Sequence, residues 1–340
     1  MIHAKIVSFT AYGANTGAKI AQALNDEMQV EQYARAVDRS LLHTKLSRMI
    51  QQAMVDCNLI LFVGAVGIAV RMCAPYLKGK QYDPAVIVVD ENGHFVIPVL
   101  SGHLGGANAL ATYIADLIEA QPVITTATDG RGAFAVDSWA AAQNCFVKET
   151  EQIKFISASI LSGNLVGIVS DFPIDSELPK ELTVNGQQSC GIVISIRTQS
   201  HPFTHTLHIV PKIVHIGIGC RRGVSEHAIE SFVQEVLQEE GIPFSAIRQV
   251  ASITRKQDEL GICCFCQKHQ LPFVTYTEQV LQAVPGIYTA SDFVKQTVGI
   301  DNVCERAAMQ SSQFGTILRR KSVKNGITLA LAAENWRVQF

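Results

Sequence analysis

The chain has 340 residues, which is too long for one ordinary hydrophobic core and predicts two or three domains. Its composition, 48% hydrophobic and 17% charged residues with a mean hydropathy of +0.19, is typical of a water-soluble globular protein. The formal net charge of −2 excludes a global field that would attract nucleic acid or an anionic membrane, so neither is an expected partner. An anionic ligand would have to be recognised by a local group of side chains.

Cysteine usage and the most apolar segment indicate a cytoplasmic protein. The nine cysteines lack paired spacing, and their odd number argues against a disulfide framework. The start, MIHAKIVSFTAYG, lacks the basic and long apolar regions of a signal peptide. The run LILFVGAVGIAV at residues 59–70 is shorter than the ~20 residues that cross a bilayer. We therefore expect this run to be a buried strand that turns into a helix.

Residues 1–145 alternate short apolar strands with helical patterns. The strand KIVSFT precedes two glycines and a helix from Ala18, and AVIVVD turns at Asn92-Gly93 into HFVIPVL. The helix GGANALATYIADLI, the strand PVITTATD and the helix AFAVDSWAAAQ follow. Val- and Ile-rich strands that alternate with helices predict a mostly parallel sheet covered on both faces, with one antiparallel pair at the Asn-Gly turn.

The remainder divides into two parts. Residues 146–211 are interrupted by a polar, proline-bearing stretch and are predicted to be a small middle segment. From residue 212 the strand–loop–helix order returns, and the chain closes on a hairpin turned at Asn325-Gly326. The predicted fold is therefore α/β: two α/β domains, residues 1–145 and 212–340, with mostly parallel sheets joined by a small middle segment.

The motif GAVGIAVR follows a strand and opens a helix. Gly64 and Gly67 allow a tight turn, amides at the helix start can face an anion, and Arg71 can bind a carboxylate. A plain strand–helix turn that needs glycine only for packing explains the same residues equally well. The motif is not a phosphate-binding Walker loop, because no Gly-Lys-Ser/Thr follows it.

The motif SGHLGGAN is more specific. His103 can act as a general base near neutral pH, and the amides of Gly105 and Gly106 at the helix start could hold an oxyanion. Asn108 could orient a ligand, and Ser101 is a weaker catalytic candidate because no GxSxG turn occurs. In the alternative interpretation, His103 caps the helix and Ser101 merely ends the strand.

The segment TTATDG ends a strand, where open α/β sheets bind ligands. Thr126, Asp129 and, on the next helix, Asp137 are therefore candidate site residues. Helix capping is the alternative role for this segment.

Three motifs of the second half admit ordinary explanations. GIGCRRG, with Gly219, Arg221 and Arg222, resembles a dinucleotide motif, but its last glycine arrives one residue late, and its arginines suit carboxylates as well as a pyrophosphate. Cys263, Cys266 and His269 have metal-like spacing, but no second CxxC exists, so buried small residues on a helix are favoured. Helix caps and salt bridges account for Lys256, Glu259 and Glu305.

With GAVGIAVR, DPAVIVVDENGHFVIPVLSGHLGGAN, VITTATD and AVDSWA in this order, the sequence resembles the cobalt-precorrin-5A hydrolase family of anaerobic cobalamin biosynthesis. GIGCRRG, SITRKQDELG, VGIDNVCERAA and NGITLALA extend the resemblance over nearly the whole chain, except the middle. One departure is Cys304, which stands where a small residue is usual beside Glu305.

The resemblance implies hydrolysis of a lactone on ring A of a cobalt-bearing tetrapyrrole, with release of acetaldehyde. It implies no protein-bound cofactor or metal, since the substrate carries the cobalt. The implied partners are this substrate, other cobalamin-pathway enzymes and a second copy of the chain. A corrinoid carrier without catalysis and a nucleotide-dependent enzyme that uses GIGCRRG are the alternatives.

The resulting hypothesis makes His103 the base that activates water, while Asp129 either orients His103 or shuttles the proton. The catalytic candidates are His103, Asp129 and Ser101. The substrate-binding candidates are Gly64, Gly67, Arg71, Gly105, Gly106, Asn108, Thr126, Asp137, Gly219, Arg221, Arg222 and Glu305. The hypothesis requires residues 64–71 and 98–108 to converge at one cleft edge.

Overall fold

The computed structural model describes residues 2–36, 43–79, 82–126, 132–184, 186–290 and 301–340. The chain divides into two compact units: unit 1 holds residues 1–142 and 157–164, and unit 2 holds residues 143–156 and 165–340. It carries three sheets, of six, five and five strands, among the described residues. Each sheet mixes parallel and antiparallel pairs, so the expectation of two domains with mostly parallel sheets is only partly correct.

The strands are β1 (Ile2–Ser8), β2 (Met28–Ala34), β3 (Leu59–Val63), β4 (Ala85–Val89), β5 (Phe95–Leu100), β6 (Gln121–Pro122), β7 (Cys145–Val147), β8 (Val166–Ser170), β9 (Leu182–Thr183), β10 (Cys190–Ile194), β11 (His205–Pro211), β12 (Val214–Cys220), β13 (Ile247–Ile253), β14 (Phe273–Tyr276), β15 (Thr316–Lys324) and β16 (Ile327–Ala333). The α-helices are α1 (Ala11–Leu24), α2 (His43–Asp56), α3 (Val66–Cys73), α4 (Ala107–Leu117), α5 (Val136–Ala142), α6 (Ile153–Leu161), α7 (Glu226–Glu240), α8 (Leu260–Lys268), α9 (Glu278–Ala283) and α10 (Cys304–Ser311).

Sheet 1 of unit 1 has the strand order β2-β1-β3-β4-β5-β6. The first four strands are parallel, and the predicted turn at Asn92-Gly93 joins β4 to an antiparallel β5. Strand β6 then pairs with β5 in parallel. Because β5 and β6 run antiparallel to the other four strands, carboxyl ends of strands occur at both edges of this sheet. An edge here means a row of strand ends and not an outer strand.

The first helix begins at Ala11, seven residues before the predicted start at Ala18. Thr10 caps it by accepting the Gly13 amide, 3.0 Å away. Gly13 and Gly17 lie inside the helix, on its buried face. A Cβ atom on Gly17 would lie 3.2 Å from the Ile6 side chain, so glycine here allows the helix to lie close to β1.

Helices cover both faces of sheet 1, as its fully buried strands require. Helices α1 and α4 pack on one face around Ile20, Ile87 and Ile114. Helices α2 and α3 pack on the other face around Phe62, Val88 and Ala69. Among the described residues, no helix combines the length and the apolarity required to span a bilayer.

The predicted middle segment contains a sheet of its own, in the order β7-β11-β10-β8-β9. A continuous core joins its Ile196 and Val210 to Val214 and Ile216 of β12, and these residues belong to unit 2. The polar stretch after β8 is held by the chain end, where Asp175 donates its amide to the Val338 carbonyl. The sequence analysis predicted a connector because a polar, proline-bearing stretch gives little signal for the two short strand pairings that it contains.

The third sheet has the order β14-β13-β12-β16-β15. Strands β12, β13 and β14 are parallel, whereas β16 and β15 form the predicted hairpin at Asn325-Gly326 and add antiparallel pairs. Helix α10 lies so close to β12 that a Cβ atom on Gly217 would be 1.8 Å from the Cys304 carbonyl oxygen. Gly217 is therefore a packing residue.

Candidate active site in unit 1

The motifs at residues 64–71 and 98–108 lie at opposite edges of sheet 1, so the expected convergence is wrong. Val63 pairs with Val89, and the turn at Gly64 follows at the carboxyl end of β4. Leu100 pairs with Val86 near the amino end of β4, and Ser101 follows there. The reversal at the hairpin places both motifs after strands but at different edges, which we call the Gly64 edge and the His103 edge.

The loop between β5 and α4 closes on itself. Ser101 has a left-handed backbone, with φ of 58°, and this turn brings carbonyl groups over the helix start. The amides of Gly106, Ala107 and Asn108 donate to the carbonyls of His103, Ser101 and Gly102, at 2.9, 3.1 and 2.9 Å. The expectation of an open helix start is thus wrong for these three amides.

Gly105 is the glycine that this loop requires. A Cβ atom at Gly105 would lie 2.4 Å from the Cβ atom of Ser101, whereas Gly106 has open space around it and a φ of 75°. Among the described residues the Gly105 amide has no backbone partner. Gly105 therefore keeps the oxyanion-binding capacity that was expected of both glycines.

His103 forms a histidine–carboxylate pair with Asp137. Its Nδ1 lies 2.9 Å from Oδ1 of Asp137, in the first turn of α5. The His103 side chain is 16% exposed, so it is mostly buried but still reaches the surface of unit 1. A carboxylate only accepts, so this contact places a proton on Nδ1 and makes Nε2 the basic nitrogen. Asp137, a substrate-binding candidate, takes the orienting position that was expected of Asp129; Asp129 itself lies outside the described residues.

Asn108 and Thr126 connect the same loop to the segment after β6. The Asn108 Nδ2 donates to the Thr126 Oγ1 at 3.1 Å, and Asn108 is buried. Its Oδ1 would lie 2.8 Å from a Cβ atom on Gly102, so this side chain fills the space that Gly102 leaves. Asn108 and Thr126 therefore fix the loop that carries His103.

Ser101 contacts a residue that the sequence analysis missed. Its hydroxyl donates to the carbonyl oxygen of Asp83 at 2.8 Å, which engages the hydroxyl proton. The only sequence signal for this contact was the Asp83-Pro84 turn before β4. Ser101 acts here as a link between two loops, and no contact of its hydroxyl favours a nucleophile.

The Gly64 edge contains a more ordinary strand–helix turn. Gly64 has a φ of 146° and donates its amide to the Val89 carbonyl at 2.8 Å. Arg71 folds back onto its own helix and donates to the Gly67 carbonyl at 3.1 Å. Glu91 lies at this edge and accepts the Thr10 hydroxyl at 2.8 Å. The Glu91 carboxylate adds a negative charge to this edge.

In unit 2, Arg221 and Arg222 follow β12 on an exposed loop. Arg222 lines a cavity of about 600 Å³ at the starts of α7 and α8. Glu259 in this cavity accepts Lys256 at 2.7 Å and the Gly223 amide at 2.8 Å, and the Lys256 hydrogen bond is the main reason why the pKa of Glu259 lies below its usual value. Lys256 and Glu259 thus form a salt bridge, which agrees with the structural role expected of both residues.

Glu305 is a fully buried carboxylate. It accepts the Thr289 amide and hydroxyl at 2.9 and 2.7 Å and the Lys321 amide at 2.8 Å. Burial alone would raise its pKa, but these hydrogen bonds and the Arg320 charge hold the pKa below the usual value. Glu305, on α10, thus connects this helix to β15 and to the segment that precedes α10.

The remaining sequence candidates of unit 2 have structural contacts. Gly217 and Gly219 lie within β12 instead of in a turn, so the dinucleotide interpretation of GIGCRRG is wrong. His269 pairs with Glu230 at 2.7 Å and Cys266 is buried in the core. The part of the chain that the structure describes contains no cluster of metal-ligating side chains.

Unit 2 also contains a buried histidine network that the sequence analysis missed. The Nδ1 of His215 is 2.7 Å from the Ser311 hydroxyl, and its Nε2 is 2.7 Å from Glu334. Burial lowers the pKa of His215, although Glu334 opposes this effect. The His215 side chain is only 1% exposed and Ser311 is buried, so this network is enclosed by protein. These residues are far apart in sequence and no local pattern links them.

Comparison with known proteins agrees with the motifs. Three family models match: Cobalamin synthesis G N-terminal at residues 48–129, Cobalamin biosynthesis central region at residues 134–211, and Cobalamin synthesis G C-terminus at residues 214–332. The chain is 33% identical to cobalt-precorrin-5A hydrolase of Salmonella typhimurium, over 83% of each chain. It is 31% identical to the enzyme of that name from Priestia megaterium, over 80% of this chain and 78% of that protein.

Among solved structures, CobE, a protein from the cobalamin biosynthetic pathway, aligns at 27% identity and a TM-score of 0.34. This match covers 36% of this chain and 92% of CobE. The three regional models and the two relatives, which cover most of the chain, agree on one assignment. The chain belongs to the cobalt-precorrin-5A hydrolase family of cobalamin biosynthesis.

Proposed function

We propose that the protein hydrolyses the ring A lactone of cobalt-precorrin-5A and releases acetaldehyde, with His103 as the general base. The observation that carries this proposal is the His103–Asp137 pair, at 2.9 Å, on the surface of unit 1. Membership of the family supports the substrate, because the curated relatives are named for it. The protein supplies no metal in this reaction, since the cobalt arrives with the substrate.

The first step is the attack of water on the lactone carbonyl. Nε2 of His103 takes a proton from the water, and Asp137 stabilises the imidazolium that forms. The oxygen of water bonds to the carbonyl carbon, and the Gly105 amide donates to the oxyanion. Collapse of this intermediate breaks the ester C–O bond, which leaves the ring A acetate as a carboxylic acid and the former ester oxygen as an alkoxide. The acid then releases the remaining water proton to solvent and becomes a carboxylate.

The second step releases the two-carbon fragment. The alkoxide oxygen forms the carbonyl of acetaldehyde as the C–C bond to the macrocycle breaks. The electron pair of that bond passes into the conjugated macrocycle and its cobalt centre. His103, which carries the proton taken from water, can return it to the macrocycle.

Substrate binding requires cationic and polar partners for several carboxylate arms. Arg221 and Arg222 of unit 2 are exposed and suited to carboxylates, and they stay candidates for carboxylate binding within unit 2 only. Gly64, Gly67 and Arg71 are left out, because the strand register places them at the other edge of sheet 1 from His103.

The test is anaerobic incubation of the full chain with cobalt-precorrin-5A, with acetaldehyde trapped as its hydrazone and the corrinoid product identified by mass. The proposal predicts one acetaldehyde for each lactone opened. Binding of the substrate without acetaldehyde would instead support a corrinoid carrier. Opening of the lactone by the His103→Ala variant at the parent rate would show that another group is the base.

A further inference from the structure

We propose that the loop beside His103 is the surface that receives the tetrapyrrole ring, an inference that rests on the proposed function. This loop, here called the Asp83 loop, consists of Leu77, Lys78, Gly79, Tyr82 and Asp83. Tyr82 and Leu77 would contact the ring, and Lys78 would bind one of its carboxylate arms.

Hydrogen bonds among the described residues of the Asp83 loop converge on Asp83 and Gly79. The Asp83 carboxylate accepts the amides of Lys78 and Gly79, at 2.8 and 3.1 Å. The Gly79 carbonyl in turn accepts the amides of Tyr82 and Asp83, at 2.9 and 3.0 Å. The carboxylate is thereby engaged by backbone donors, which reduces its repulsion of an anionic ligand.

One hydrogen bond connects this loop to the proposed catalytic loop. The carbonyl of Asp83 accepts the Ser101 hydroxyl at 2.8 Å. Tyr82 precedes this bond by one residue, and His103 follows it by two. Successive Cα atoms are about 3.8 Å apart, so a ligand as broad as a tetrapyrrole can contact Tyr82 while its edge lies at His103.

The side chains of the Asp83 loop match such a ligand. Tyr82 is 71% exposed and Leu77 is 47% exposed, although both are large and apolar. An aromatic side chain presented on a held loop loses little conformational entropy on binding a flat ring. Lys78 is exposed, so its ammonium can pair with a carboxylate at the rim of the ring.

The Tyr82→Ser variant tests this inference by steady-state kinetics with cobalt-precorrin-5A, followed by acetaldehyde release. We expect KM to rise about tenfold or more while kcat stays within about twofold, because an aromatic contact made equally in the ground and transition states is lost. Tyr82→Phe keeps the ring and should restore the parent KM. Lys78→Gln should raise KM by a few fold, an effect that shrinks at high salt.

The matched control is Tyr12→Ser. Tyr12 is 60% exposed on α1 and follows β1, at the opposite edge of sheet 1, so its loss should leave both constants unchanged. A Tyr82→Ser variant with the parent KM, or an equal rise in KM for Tyr12→Ser, would overturn the inference. Should the parent protein release no acetaldehyde at all, the proposed function fails, and the Kd of each variant for cobalt-precorrin-5A, read from corrinoid absorbance, still decides the role of Tyr82.

Discussion

The two edges of sheet 1 differ in how their polar groups are used, although both carry a glycine-rich motif between a strand and a helix. At the Gly64 edge, Arg71 bonds to its own helix and the nearby Glu91 is acidic. At the His103 edge, a histidine and a carboxylate from separate elements meet on a loop that further hydrogen bonds hold in place. A glycine motif after a strand thus indicates a turn, whereas the convergence of side chains from several elements indicates a site.

Replacement of His103 should give the largest difference in catalysis between the two edges. His103→Ala should lower kcat for acetaldehyde release by about 10²–10⁴-fold, the usual contribution of a general base. The measurement is acetaldehyde formation under saturating substrate. The matched control is His94→Ala, because His94 is an exposed histidine of the same hairpin at the Gly64 edge. Equal losses in the two variants would show that the edges do not differ in catalysis.

The carboxylate partner should contribute less than the base. Asp137→Asn should lower kcat by about 10–100-fold, because the ring keeps a neighbour but loses the charge that stabilises the imidazolium. Rescue by a conservative variant distinguishes this role from a structural one: Asp137→Glu keeps the charge and should recover part of the lost kcat. Equal losses in the Asn and Glu variants would assign Asp137 a purely structural role.

The two glycines of the His103 edge should respond differently to alanine. Gly105→Ala places a Cβ atom 2.4 Å from that of Ser101, so the loop must shift, and we expect a loss of about 1–3 kcal/mol in the free energy of unfolding and reduced activity. The Cβ atom of Gly106→Ala has no atom within 4 Å, so only the left-handed backbone at this position opposes the substitution. We expect a loss of about 1 kcal/mol in the free energy of unfolding. Chemical denaturation followed by circular dichroism measures both. A larger effect at Gly106 would contradict the described geometry of the loop.

Sequence reasoning identified the elements of unit 1 better than their arrangement. Apolar runs predicted β3 and β4, and the Asn92-Gly93 turn predicted the reversal at β5, because these signals are local. The pairing of β5 with β6 depends on the register Phe95–Gln121, which no local pattern records. For the same reason the motifs were placed at one edge: both follow strands, and only the register shows that these strands run in opposite directions.

The candidate site shows the same limit. SGHLGGAN singled out His103 as the residue to examine, because a histidine between glycines is an unusual local feature. Its partner could not be chosen from the sequence, since Asp137 is separated from it by 34 positions and is brought to it by the placement of α5. The Asp83 contact was missed because it joins a backbone carbonyl to a hydroxyl, and a backbone acceptor has no residue-type signal.

We expect the smallest effect on activity and stability at the Gly64 edge. Arg71→Gln removes a guanidinium whose described contact is the Gly67 carbonyl four residues earlier in the same helix. The side chain is exposed, so both kcat/KM and the free energy of unfolding should change little, within about twofold and about 0.5 kcal/mol. Lys78→Gln serves as the reference, because loss of the lysine proposed to bind a substrate arm should raise KM. If Arg71→Gln instead raised KM as much as Lys78→Gln, an arm of the substrate would have to reach α3, and the proposed difference between the two edges would be wrong.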